Sequence, residues 1–150
     1  MEPISMSEQT IRGYGRMVHP KGGTPAYDSP EFSFDGDVFR FQDYGSVTVG
    51  VLVGKKRDQK IDKMERHLST SELLVQVSND CVLYLAKPSE SVPSRKEIQP
   101  FRLNQGQAVV LDEGTWHWVP FPVDDECTTL VIFKDKTPDE DYEERPVPGN

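Results

Sequence analysis

The chain has 150 residues and a mass of 17.0 kDa, about the size of one domain and enough to bury a core without disulfide or metal staples. Its net charge of −8 and isoelectric point near 4.9 set up a field that repels phosphate backbones and anionic lipid, so no nucleic-acid partner is expected. No apolar run is long enough to cross a bilayer, and the start "MEPISMSEQTIRGYG" has no basic region followed by an apolar one, so a soluble, cytoplasmic protein without a membrane partner is expected.

In chain order, residues 12–37, "RGYGRMVHPKGGTPAYDSPEFSFDGD", are too rich in turn formers for core strands. They read as a loop arm that crosses a barrel mouth or a neighbour. His19 lies in that arm beside Pro20 and reads as a loop histidine, not a ligand. "VFRF" at 38–41 and "SVTVGVLVG", where Val47, Val49, Val51 and Val53 recur with a period of two, predict the first strands. A strand through "KMERH" sets Lys63, Glu65 and His67 on one face and Met64 and Arg66 on the other.

"ELLVQV" at 72–77 and "CVLYLA" at 81–86 are further strands, with Ser78, Asn79 and Asp80 expected to close a hairpin between them. "KPSESVPSRKEIQPFRLN" at 87–104 reads as a long connection. "QAVVL" at 107–111 and "TTLVIF" at 128–133 follow, separated by the turns "DEGT" at 112–115 and "PVDDE" at 122–126. Cys81 and Cys127 sit inside strands with no CxxC spacing and are expected to be buried free thiols.

Residues 135–150 are acidic and read as a solubilising tail or one short exposed helix on a single domain spanning 1–150. Apolar positions nowhere recur at helical spacing over three turns. The fold class is therefore all-β, an antiparallel sandwich or small barrel. Arg40, Arg57 and Arg66 are taken as surface charges.

Two segments carry candidate chemistry. If the "KMERH" strand faces inward, Lys63, Glu65 and His67 enter the barrel, and Glu72 and Gln76 join them from the next strand by the same parity. Unpaired burial of such groups costs several kcal/mol each, so they would need a metal, a ligand or one another. Turning the strand over gives Glu65 and His67 to solvent, and on this segment alone that reading is the simpler one. The second segment, "GQAVVLDEGTWHWVPF" at 106–121, runs from Gly106 through a strand and a turn to His117, with Trp116 and Trp118 pointing the opposite way into wall or interface packing.

This second segment resembles the second cupin motif, with Asp112 where that motif has proline. Glu65-x-His67 and Glu72 resemble the first motif, with glutamate in place of its first histidine. The resemblance implies that Glu65, His67, Glu72 and His117 converge in a cupin-like antiparallel β-barrel, a double-stranded β-helix with an N-terminal loop arm, as ligands of a divalent metal.

More narrowly, "MERHLSTSELLVQV", "QGQAVVLDEGTWHW" and "LVIF" are similar to the ureidoglycolate lyase family. Glu65, Arg66, His67, Ser71, Gly114, Trp116 and His117 match it; Glu72 stands where the family has Gln, and Trp118 where it has a second His. The resemblance implies cleavage of a small-molecule substrate, ureidoglycolate, to glyoxylate and urea, or, with the departures at Glu72 and Trp118, action of a close relative on a similar small polar acid. The metal would sit at His67 and His117, Glu65 or Glu72 would be the acid/base, and Lys63 would pair with the substrate carboxylate. A homodimer is expected on the same analogy. Two alternatives stay open: another metal-dependent cupin enzyme, such as an isomerase or dioxygenase, and a non-catalytic cupin that binds a small ligand.

Overall fold

The computed structural model describes residues 1–20 and 22–149; Lys21, in the expected arm, and Asn150, at the end of the expected tail, lie outside the described residues. The early strands are β1 (Ile4–Ser5), β2 (Gly15–Val18), β3 (Tyr27–Asp28), β4 (Ser33–Phe34), β5 (Val47–Lys55), β6 (Lys63–Arg66) and β7 (Glu72–Ser78). The later ones are β8 (Cys81–Ala86), β9 (Gln99–Leu103), β10 (Ala108–Leu111), β11 (Trp116–His117), β12 (Phe121–Pro122), β13 (Glu126–Lys134) and β14 (Glu143–Pro146). A four-residue helix, α1 (Thr137–Glu140), precedes β14.

One sheet has the order β1-β9-β8-β11-β6-β14, with β12 also on β8; the other has the order β2-β10-β7-β13-β5. From β5 to β8 each successive strand crosses to the opposite sheet, and the crossing resumes from β9 to β10 to β11. The set β5-β13-β7-β10 thus faces β6-β11-β8-β9, which is the strand order of a double-stranded β-helix. The all-β, cupin-like barrel expected from the sequence is the fold that forms.

Side-chain alternation builds two cores from this arrangement. On β8, Cys81, Leu83 and Leu85 join Leu74, Phe101, Leu103, Val109 and Leu111 between the sheets. The intervening Val82 and Ala86 face outward and pack with Met64, Ile98, Trp116 and Phe121. One sheet is therefore apolar on both faces, and the connection after β8 covers its outer side. Fully burying an aliphatic or aromatic side chain of this kind stabilises by roughly 1.5–3 kcal/mol. Trp116 faces this outer cluster, so its neighbour His117 must face the barrel interior.

The structure corrects several expectations. Asn79, at φ 61°, turns the chain between sheets; β7 pairs with β10 and β13 while β8 pairs with β9, β11 and β12. The 78–80 turn is thus an arch and not a hairpin. Residues 38–41 form no strand: Phe39 and Phe41 pack edge to face at 4.8 Å, and Arg16 lies over Phe39. The 87–104 connection contains β9, disguised by Pro100, which sits opposite Tyr84. The 12–37 arm contributes β2, paired with β10.

The acidic stretch after Lys134 also departs from the expected free tail. It forms α1 and then β14, which pairs antiparallel with β6 from Glu143↔Arg66 to Pro146↔Lys63. Charge complementarity holds it there: Glu143 meets Arg66 at 2.8 Å and Glu144 meets Lys63 at 2.8 Å. Arg66 is consequently no surface charge, with its side chain 11% exposed and its guanidinium over Trp116. Arg57 likewise stacks on Phe121 at 3.9 Å, whereas Arg40 is a surface residue paired with Asp37.

Candidate functional site

Register places the site. Glu65 on β6 and His117 on β11 are direct cross-strand partners, so their side chains leave the same face of one sheet. Glu72, the first residue of β7, approaches from the opposing sheet. His67 follows the end of β6, where the chain has left the ladder. Gly114, at φ 82°, allows the tight turn into β11, and its N–H donates to the carbonyl of His67 at 2.7 Å. The two motif segments are thereby tied together directly.

The resulting cluster is compact and dry. His67, Glu72 and His117 are all buried. The Glu72 Oε2 atom lies 3.0 Å from His117 Nε2 and 3.5 Å from His67 Nε2, and Glu65 Oε1 lies 3.4 Å from His117 Nε2. Each imidazole is fixed through its other nitrogen: Nδ1 of His67 meets the Asp141 carbonyl at 2.7 Å, and Nδ1 of His117 meets the Thr115 carbonyl at 2.9 Å. A carbonyl can only accept, so both Nδ1 atoms carry the proton and both Nε2 atoms turn toward the carboxylates.

This arrangement fits a metal ion. Glu72 Oε2 and His117 Nε2 face each other at 3.0 Å, yet neither makes an aligned hydrogen bond in its buried position. A lone pair on Nε2 facing a carboxylate oxygen needs a cation or a proton between them. Glu65, His67 and His117 offer ligand atoms within 4.8 Å of one another, and Glu72 is as near to both rings. Two imidazoles and two carboxylates make a donor set suited to a divalent first-row metal.

The same groups perturb one another's protonation. Burial opposes a charge on His117, but Glu72 and Glu65 outweigh it and raise its pKa well above the ordinary histidine value. Burial likewise opposes ionisation of Glu65, yet its contacts with His117, Tyr142 and His67 bring its pKa below the usual carboxylate value. Tyr142 is raised, by burial and by Glu144 and Glu65, so its hydroxyl stays protonated and donates to Glu144 Oε2 at 2.6 Å.

A cavity of about 320 Å³ opens over the cluster. Glu65, His67, Glu72 and Tyr142 line one part of it, and Leu52, Phe133 and Pro138 contribute to an apolar remainder. Among the described residues no lysine or arginine lines it. Lys63 shares the parity of Glu65 but stands outside the cavity, its ammonium held by Glu144 and over the Trp118 ring at 4.8 Å. Gln76 is inward but deep, with its amide bonded to the carbonyls of Ser78 and Asn79 and to the Thr129 hydroxyl. His19 pairs with Glu8 at the surface.

A family model described as ureidoglycolate lyase matches residues 6–149. The chain belongs to the ureidoglycolate lyase family. Of the residues that match the family, Glu65, His67 and His117 converge in the fold, joined by Glu72, which departs from it. No curated protein matches the sequence. Similar solved structures include the S161A variant of Bacillus subtilis oxalate decarboxylase, at 14% identity and TM-score 0.45, covering 67% of this chain and 23% of that one. The oxalate decarboxylase of Bacillus subtilis at pH 4.6 shows 16% identity, TM-score 0.45 and the same coverage. This ureidoglycolate lyase family member thus spans about a quarter of the length of those chains.

Proposed function

We propose that this chain is a metal-dependent lyase that cleaves ureidoglycolate to glyoxylate and urea. The observation that carries the reading is the pair of buried, unpartnered atoms on Glu72 and His117 inside a ureidoglycolate lyase family barrel. His67, His117 and Glu72 would hold a divalent ion, with Glu65 within reach of it. When bound, the metal supplies Lewis acidity and a positive anchor for carboxylate and hydroxyl oxygens. That anchor matters because, among the described residues, the cavity wall offers a substrate carboxylate no cationic side chain.

Glu65 is the group we assign to proton transfer, accepting the proton of the carbinol oxygen and returning it to the departing urea nitrogen. Position 72 is Gln in the family pattern, and an amide can ligate through oxygen but cannot carry this proton. Tyr142, which lines the cavity with Glu65, donates to Glu144, and Glu144 in turn holds Lys63. Lys63 therefore anchors the rim of the site instead of pairing with the substrate.

Purified protein is expected to contain a divalent metal by elemental analysis and to release urea from ureidoglycolate. Glu72→Gln should retain that activity and lower KM, since it removes one of two anions beside a substrate carboxylate; like charges about 4 Å apart repel by up to ~4 kcal/mol near a protein surface. Metal-replete protein that releases no urea in either form ends the lyase reading and leaves the ligand-binding and other-enzyme alternatives.

The same reading includes a homodimer in the cytoplasm. Val49 and Val51 on edge strand β5 are 65% and 69% exposed, and a long apolar edge of this kind is ordinarily covered. Light scattering should report a dimer that Val49→Lys converts to monomer; a wild-type monomer rules the pairing out. Free, buried Cys81 and Cys127 suit a reducing compartment. No helix among the described residues is long and apolar enough to cross a membrane.

A further inference from the structure

We infer that Asp141 is a positioning residue for the metal site, fixing both the tautomer and the aim of His67. The two histidines are held in different ways. His117 lies within β11, and its Nδ1 bonds to Thr115 only two residues back. His67 lies beyond the end of β6, with no ladder beneath it, and its Nδ1 bonds to a carbonyl 74 positions away. That carbonyl must be brought to the ring by something other than local geometry.

Asp141 supplies it with three bonds to three successive residues. Its Oδ1 accepts the N–H of Leu68 and its Oδ2 the N–H of Ser69, both at 2.8 Å, while its carbonyl accepts Nδ1–H of His67 at 2.7 Å. Asp141 is itself fixed by the end of α1, donating its N–H to the Thr137 carbonyl at 2.9 Å. Only a carboxylate presents two acceptor oxygens to two N–H donors. The clamp sets the distance between the Asp141 carbonyl and the His67 ring, so the proton stays on Nδ1 and Nε2 faces Glu72 with its lone pair free. Partners of a ligand's remote nitrogen tune metal binding in this way.

The inference rests on the reading of His67 as a metal ligand, but its decisive measurement needs neither metal nor substrate. Nitrogen-15 NMR of the metal-free protein should show His67 protonated on Nδ1. In Asp141→Ala the His67 ring should shift to a mixture of tautomers while the His117 resonances stay as in wild type. Zinc titration should then show affinity weakened by about 10- to 100-fold. Asp141→Asn, which keeps one acceptor oxygen and nearly the same shape, should fall between the two and gives the same comparison if the alanine variant does not fold. Wild-type His67 protonated on Nε2 alone overturns the proposal, as does an unchanged His67 ring in a folded variant. Equal changes at both histidines mark a general loosening and also overturn it. Failure of the urea assay leaves the ring measurement standing, so the two readings fail separately.

Discussion

Glu65→Gln is expected to lower kcat for urea release by about 100- to 10,000-fold, the range that loss of a positioned acid or base produces, with the metal still bound. The substitution keeps the shape of the side chain and removes only its ability to carry a proton. His67, Glu72 and His117 remain to hold the ion, since Glu72 lies 3.0 and 3.5 Å from the two ring nitrogens. Steady-state kinetics beside elemental analysis checks this. A variant with wild-type kcat removes Glu65 from proton transfer, and one that loses its metal makes Glu65 a ligand first.

His117→Ala should abolish both metal retention and turnover, weakening divalent affinity by more than the ~100-fold that losing a mere supporting partner costs. Its Nε2 lies 3.4 Å from Glu65 Oε1 and 3.0 Å from Glu72 Oε2, and without it two carboxylates share the site with one imidazole. The barrel should stay folded, because β11 is anchored on its other side by Trp116, fully buried in the outer apolar cluster. Circular dichroism and metal content together decide the point. Unchanged metal content in the variant takes His117 out of the coordinating set.

The barrel and half of the site were legible because both obey a period of two. Val47, Val49, Val51 and Val53 show it in the sequence, and the same parity that buries Met64 and Trp116 on one face turns Glu65 and His117 to the other. What stayed hidden depends on partners far along the chain. Asp141, Glu143 and Glu144 look like solubilising charges when read locally, yet each is matched by N–H groups or a cation on the segment 63–69. The one available signal was complementarity: Lys63 and Arg66 on one strand against Glu144 and Glu143 on another. Strand β9 was masked by its proline, and the arch at 78–80 could not be told from a hairpin because a turn's residues do not reveal which sheet receives the next strand.

The return of β14 to β6 gives biosynthesis a direction. In chain order Asp141 and Tyr142 follow every described strand of the barrel except β14. A nascent chain can therefore close its core while His67 still lacks its carbonyl partner. A chain interrupted just after β13 is then expected to collapse around the core between the sheets and to bind divalent metal weakly, because His67 has no carbonyl partner.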